Sequence, residues 1–159
     1  NHDFAKSLEV ANMGLKKNPR HAAFHRLAMY NKTDLKRFEE ALKAADVFFN
    51  ECDKADYSYL DYMYYGHLLE ELKKYDEAVG QYEKAVELDP TKTDLYKNIS
   101  SVYEQKNDYK KAIGAYHKYY SSLEKEKQTP DLQFQLGRLY YGAGTQPDSL
   151  TINVEERKH

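Results

Sequence analysis

His21 and His25 stand four residues apart, a spacing that sets two imidazoles on one helical face and could share a metal ion. No carboxylate follows His21 directly and no third ligand stands near, so structural or surface histidines are expected and no metal is assigned. Cys52 is the only cysteine, which rules out an internal disulfide and a four-cysteine zinc site. Its neighbours Glu51 and Asp53 disfavour a thiolate. Sixteen tyrosines could stack on nucleic-acid bases, but a formal net charge of −2 supplies no attraction to phosphate or to an anionic membrane surface. No phosphate-cradling glycine loop, nucleophile elbow or paired-carboxylate motif is visible. No catalytic residue and no cofactor are therefore assigned, and the chain is read as a non-enzyme. Asn31-Lys32-Thr33 and Asn98-Ile99-Ser100 match the glycosylation triplet; the second lies in a helical segment, and both read as chance matches.

The elements that would position any site are helices. Charged residues make up 31 % and apolar ones 41 %, ordinary for a helical protein, and no apolar run approaches the roughly 20 residues that span a bilayer. A short phrase, aromatic-x-x-Ala, recurs as Phe38-Glu39-Glu40-Ala41, Tyr75-Asp76-Glu77-Ala78 and Tyr109-Lys110-Lys111-Ala112. A weaker copy is Phe4-Ala5-Lys6-Ser7. Ser7 and Ala41 are 34 residues apart, as are Ala78 and Ala112, while Ala41 and Ala78 are 37 apart. The extra residues fall in Asp53-Lys54-Ala55-Asp56, where turn chemistry makes an insertion cheap. A period near 34 means stacked helical hairpins. The spacing predicts helices over 2–17, 20–33, 35–51, 56–73, 75–88, 92–106, 109–126 and 130–142, with a further stub near Thr151. Asn31–Asp34 and Lys106–Asp108 read as turns, with Asp34 and Asp108 capping the helices that follow. Gly142–Pro147 is the longest breaker cluster.

The small residues carry a physical meaning of their own. Gly66 and Ser100 inside helices cost helix propensity and are tolerated where two helices approach closely. Ala78, Ala85 and Ala112 read as further points of close approach. Aromatic side chains would fill the gaps between them, and Pro90 would end one hairpin and start the next. Tyr62, Tyr75, Tyr82, Tyr96, Tyr103, Tyr109, Tyr116 and Tyr140 fall in such core slots. Tyr57, Tyr59, Tyr64 and Tyr141 are left as candidate surface aromatics.

The copy from Tyr59 to about Lys92, with Tyr62, Tyr65-Gly66, Leu69, Ala78, Tyr82, Ala85 and Pro90, resembles the tetratricopeptide repeat. Tyr96, Ile99-Ser100, Tyr103, Ala112 and Tyr116 form a second copy, with Glu124 near the expected proline. Leu136-Gly137 and Tyr140 open a third, and Phe24, Leu27-Ala28, Ala41 and Phe48 lie ahead of the best one. The resemblance implies an all-α solenoid of stacked antiparallel hairpins, a right-handed superhelix in that family. It implies one domain over 1–159: a lone second helix in 1–19, repeats at 20–53, 56–90 and 92–126, and a partial repeat at 130–159. The array reads as a segment of a longer one. Leu60–Gly66 and Leu136–Gly142 are similar to long tetratricopeptide proteins of Bacteroidetes-type bacteria, which are often exported. This favours a periplasmic location over a cytoplasmic one.

In that family the first helices line a concave face that takes partner peptides. By resemblance the groove stripe here is His25, Met29 and Lys32; Met63, His67 and Glu70; Lys97, Ser101 and Glu104; and Phe134, Arg138 and Tyr141, with Asn98 at its border. The family's best-understood mode clamps a terminal carboxylate between basic and amide side chains. This chain supplies Lys97 and Asn98 for it, while Asp94 and Asp131 stand where cations are wanted. The expected role is therefore a protein- or peptide-binding scaffold whose ligand carries an apolar anchor for Met63 and Phe134. The alternative is a structural spacer or self-assembly module that associates through uncapped ends. Neither reading involves nucleic acid or membrane insertion.

Overall fold

The computed structural model describes residues 3–52 and 57–144, and every regular element among them is helical. The turn expected at Asp53–Asp56, the far half of the 142–147 cluster and the stub near Thr151 lie outside the described residues. The helices are α1 (Phe4–Lys17), α2 (Ala22–Asp34), α3 (Phe38–Asn50), α4 (Tyr59–Glu71), α5 (Tyr75–Leu88), α6 (Leu95–Gln105), α7 (Tyr109–Ser122) and α8 (Pro130–Gly144). The chain divides into two compact units, Asn1–Asp89 and Pro90–His159.

In the first unit α2 and α3 form one hairpin and α4 and α5 another, with α1 packed on α2 and α4 packed on α2 and α3. Leu8, Ala11, Ala28, Met29, Ala41, Ala45, Phe48 and Leu68 make a continuous core between them. Ala78, Val79, Tyr82 and Ala85 form the buried stripe of α5, spaced as one helical face requires. Each large side chain there, such as Phe48 or Tyr82, contributes roughly 1.5–3 kcal/mol of burial. The ring of Tyr82 lies over Gly66, and its hydroxyl donates to Glu70 at 2.9 Å. The small residue in α4 is thus the notch that receives the ring from α5.

In the second unit α7 packs against both α6 and α8. Ala112, Ile113, Tyr116 and Tyr119 of α7 meet Leu139 and Ala143 of α8 in one cluster. Ser100 is buried in α6 and donates its hydroxyl to the carbonyl of Ala112 at 2.8 Å, so the close approach there is also a hydrogen bond.

Helix ends are set locally. Three hairpins turn in the same way. Lys36, Lys73 and Asn107 adopt positive φ of 57°, 60° and 59°. At each, the turn residue's N–H reaches three residues back and the next N–H five residues back: Lys36 to Thr33 and Arg37 to Lys32, Lys73 to Glu70 and Lys74 to Leu69, Asn107 to Glu104 and Asp108 to Tyr103. This is the Schellman pattern, which satisfies the last carbonyls of the first helix. Asp108 caps α7 by accepting from the Lys111 N–H at 3.2 Å, as expected. Asp34 does not cap α3; it is the last residue of α2, and Arg37 takes the cap position. Helix α7 stops at Ser122, short of 126. There the Gln128 amide donates to the carbonyls of Tyr120 and Leu123 at 3.3 and 3.1 Å, closing the helix before a 3-10 turn at Lys125–Lys127.

Candidate functional site

The expected stripe separates by unit and by exposure. On α2, Met29 is fully buried and His25 nearly so, because α1 lies across that face with Leu8 and Ala11. His25 donates through Nε2 to the carbonyl of Pro19 at 2.7 Å, which is a structural task rather than a ligand contact. His21 packs its ring against Phe24. Lys32 keeps a partly exposed ammonium 3.7 Å from Glu40. The expectation that Met29 and His25 face an open groove is therefore corrected: both serve the core between α1 and α2. On α4, His67 is exposed, Met63 is half-buried, and Glu70 accepts the Tyr82 hydroxyl. A surface depression of about 360 Å³ in this unit is lined by Ala5, Leu8, Glu9, Asn12, Met13, Lys16, Leu35 and Arg37, none of them an expected site residue.

The same unit holds a polar centre that sequence reasoning missed. Asp61 is completely buried. Its carboxylate accepts from the Tyr30 hydroxyl at 2.6 Å, the Ser58 N–H at 2.8 Å and the Ser58 hydroxyl at 3.0 Å, and pairs with Arg26 at 2.8 Å. Burial and then Asp61 hold the Tyr30 phenol well above its ordinary pKa. These groups tie the start of α4 to α2 and leave no open reaction site. The surface aromatics also shift. Tyr57 packs edge-on to Phe48, and Tyr64 stacks on Tyr30 with centroids 4.2 Å apart. Of the four candidates only Tyr141 is strongly exposed, at 76 %.

In the second unit the stripe residues Lys97, Ser101, Glu104 and Arg138 do converge. They border a cavity of about 270 Å³ with Ser100, Tyr116, Asp131, Leu132, Gln135 and Leu139. The i, i+4, i+7 spacing of Lys97, Ser101 and Glu104 puts them on the side of α6 that meets the cavity. Asp131, Gln135 and Arg138 do the same from α8. Tyr116 of α7 is buried and donates to the Leu132 carbonyl at 3.2 Å. Arg138 forms a bidentate ion pair with Glu104, one arm at 2.9 Å, and its Nε donates to Gln135 at 3.1 Å. The hydrogen bond to Glu104 raises the guanidinium pKa further above its already high value. Arg138 is thus spent on its neighbours. Lys97, Ser101 and Asp131 make no side-chain hydrogen bond or ion pair among the described residues. Asn98 is half-buried, and it, Phe134 and Tyr141 lie off the cavity lining. The missed lining residues Gln135 and Leu139 were signalled by their helical spacing from Asp131. No group of three or more metal-ligating side chains occurs among the described residues, and no described helix is long and apolar enough to cross a membrane.

A family model described as TPR repeat matches residues 66–107. No curated protein matches the chain. Among solved structures the chain is similar to the C-terminal part of a TPR repeat-containing protein from Cytophaga hutchinsonii. The identity is 24 %, the TM-score 0.76, and the match covers 89 % of this chain and 54 % of that one. The chain therefore spans about half the length of that neighbour. It is similar to MamA at 21 % identity and TM-score 0.74, over 89 % of this chain and 80 % of that one. It is also similar to the TPR2B domain of yeast Sti1, solved as a complex with pHsp70, at 20 % identity and TM-score 0.59, over 77 % and 95 %.

Proposed function

We propose that this chain, which has a TPR-like fold and matches a TPR repeat model over residues 66–107, is a scaffold that binds a peptide or protein segment without chemistry of its own. The observation that carries the reading is the cavity between α6 and α8, where Lys97, Ser101 and Asp131 offer exposed hydrogen-bonding groups, without a protein partner among the described residues, beside the apolar Leu132 and Leu139. Preformed helices hold these groups in place, which lowers the ordering cost of binding. The Sti1 neighbour, solved with a pHsp70 partner, supports the class of function.

The charges narrow the ligand. A lone carboxylate would meet Lys97, but also Asp131, and Arg138 is committed to Glu104. The ligand therefore carries an acidic and a basic group close together, with an apolar side chain between them. Peptides isolated from a random displayed library would be titrated against the wild type and a Lys97→Glu, Asp131→Lys variant. Binders are expected to lose about tenfold or more in affinity. Unchanged affinity for every binder would remove this cavity from the proposal.

A spacer or self-assembly role is the second reading. It is favoured by Phe134 and Tyr141, which stay 70 % and 76 % exposed away from the cavity.

A further inference from the structure

Lys97 of α6 and Asp131 of α8 are 34 residues apart, as are Ser101 and Gln135, and Glu104 and Arg138. The three pairs are successive rungs between the two helices, and all six side chains line the cavity. Glu104 and Arg138 carry opposite charges and close their rung as a bidentate ion pair, one arm at 2.9 Å. Lys97 and Asp131 also carry opposite charges, yet neither makes an ion pair among the described residues. The rung two helical turns from the closed one therefore stands open. Buried Tyr116 and Leu139 and half-buried Leu132 complete an apolar floor. The cavity is thus bolted at one end, with a lone cation and a lone anion on opposite sides of the other.

We propose that this cavity takes a free apolar α-amino acid, its carboxylate on Lys97, its ammonium on Asp131 and its side chain on the floor of Leu132, Leu139 and Tyr116. A peptide segment meets two such charges with side chains of different residues, each with its own rotamers to fix. An α-amino acid carries both charges on the carbon that bears its side chain, so the arrangement is preorganised. Its ammonium has three hydrogens to donate, and the Ser101 hydroxyl is a further acceptor. Its carboxylate only accepts, and the Gln135 amide N–H is a further donor, since the Gln135 oxygen is taken by Arg138. A plain carboxylate would leave Asp131 unanswered, and a plain amine Lys97. The volume of about 270 Å³ lies at the small end of ligand cavities, as a small molecule requires. This inference rests on the scaffold reading for the cavity being a binding site, and adds a small molecule that competes there with a segment.

Calorimetric titration of the 159-residue chain with free leucine, isoleucine, methionine and phenylalanine, each to about 10 mM, tests it. At least one is expected to saturate the site with Kd on the order of 1 mM or tighter. Glycine keeps both charges and lacks the apolar side chain, so it should bind about tenfold or more weakly. The deaminated and the decarboxylated analogue of whichever amino acid binds should lose about as much. Lys97 and Asp131 are exposed, so Lys97→Gln and Asp131→Asn should keep the helices, checked by circular dichroism, and each should weaken binding about tenfold. No saturable binding of any of the four would overturn the proposal. So would binding that survives both substitutions together, or that both analogues match. Library peptides that need Lys97 and Asp131 while no amino acid binds would strike this inference alone. An amino acid that binds while no peptide does would strike the scaffold reading alone.

Discussion

The ring of Tyr82 lies so close over Gly66 that a Cβ there would stand 2.9 Å from it. Gly66→Ala gains helix propensity but forces that buried ring aside, and overpacking of this kind costs about 1–3 kcal/mol. A net loss of stability is expected. Gly80, in α5, has nothing within 4 Å of its virtual Cβ. Gly80→Ala should therefore gain about 0.5–1 kcal/mol. Urea unfolding of the two variants should move in opposite directions; shifts of the same sign would contradict the notch.

Asp61 has no exposure and four polar contacts. Asp61→Ala leaves Tyr30 and Arg26 facing a buried gap and should cost about 3–5 kcal/mol, because removing one partner of a buried pair strands the other. Exposed Arg37 and Glu40, joined by two hydrogen bonds of 2.8 and 2.7 Å, make the control. Glu40→Ala should cost far less, because water screens this exposed pair. Denaturant midpoints that rank these two the other way would rule out the buried centre as a main support.

Lys36 and Lys73 hold left-handed backbone without being glycine. That conformation costs an L-residue with a Cβ roughly 1–2 kcal/mol. Lys36→Gly and Lys73→Gly should each raise stability by about 0.5–1 kcal/mol, after the larger freedom of glycine in the unfolded chain is deducted. Asn107→Gly should gain less, since asparagine visits this region more readily. A rise in thermal midpoint of the two lysine variants is the measurement, and a fall in both would contradict the turn geometry.

Alkaline pH should unfold the protein through its phenols. Burial, and then the carboxylate of Asp46, pushes the Tyr65 pKa up to about 12. Burial and then Glu70 raise that of Tyr82 further, and Tyr30 is raised in the same direction. An unfolded tyrosine ionises near pH 10. The folded state holds these protons more tightly, so their contribution is complete below about pH 10 and is lost as pH climbs through about 12. Thermal midpoints should be flat below that window and fall within it. Tyrosinate absorbance should show a fraction of the 16 tyrosines ionising only as the fold is lost. All of them titrating together near pH 10 in the folded protein would refute this.

Hairpins were legible because their packing obeys local rules repeated along the chain. Ala78, Ala85 and Ala112 have no exposure, as contact points between helices should. Asp61 was not legible as a buried charge, because its burial depends on Arg26 and Tyr30 from a helix two elements earlier. Met29 and His25 occupy slots that face the groove in the family, yet α1 covers them here, and slot position alone does not reveal a covering helix. Phe134, Arg138 and Tyr141 share a helical spacing, but only Arg138 reaches the cavity. The spacing groups residues on a broad arc of helix and does not say which part of that arc meets a neighbour.

The thrice-written corner at Lys36, Lys73 and Asn107 has an evolutionary reading. Because the bend is encoded by main-chain hydrogen bonds and tolerates lysine or asparagine alike, a duplicated gene segment brings its own corner with it. Inserting or removing one such unit should therefore leave its neighbours' corners formed, because each corner needs only its own main-chain groups.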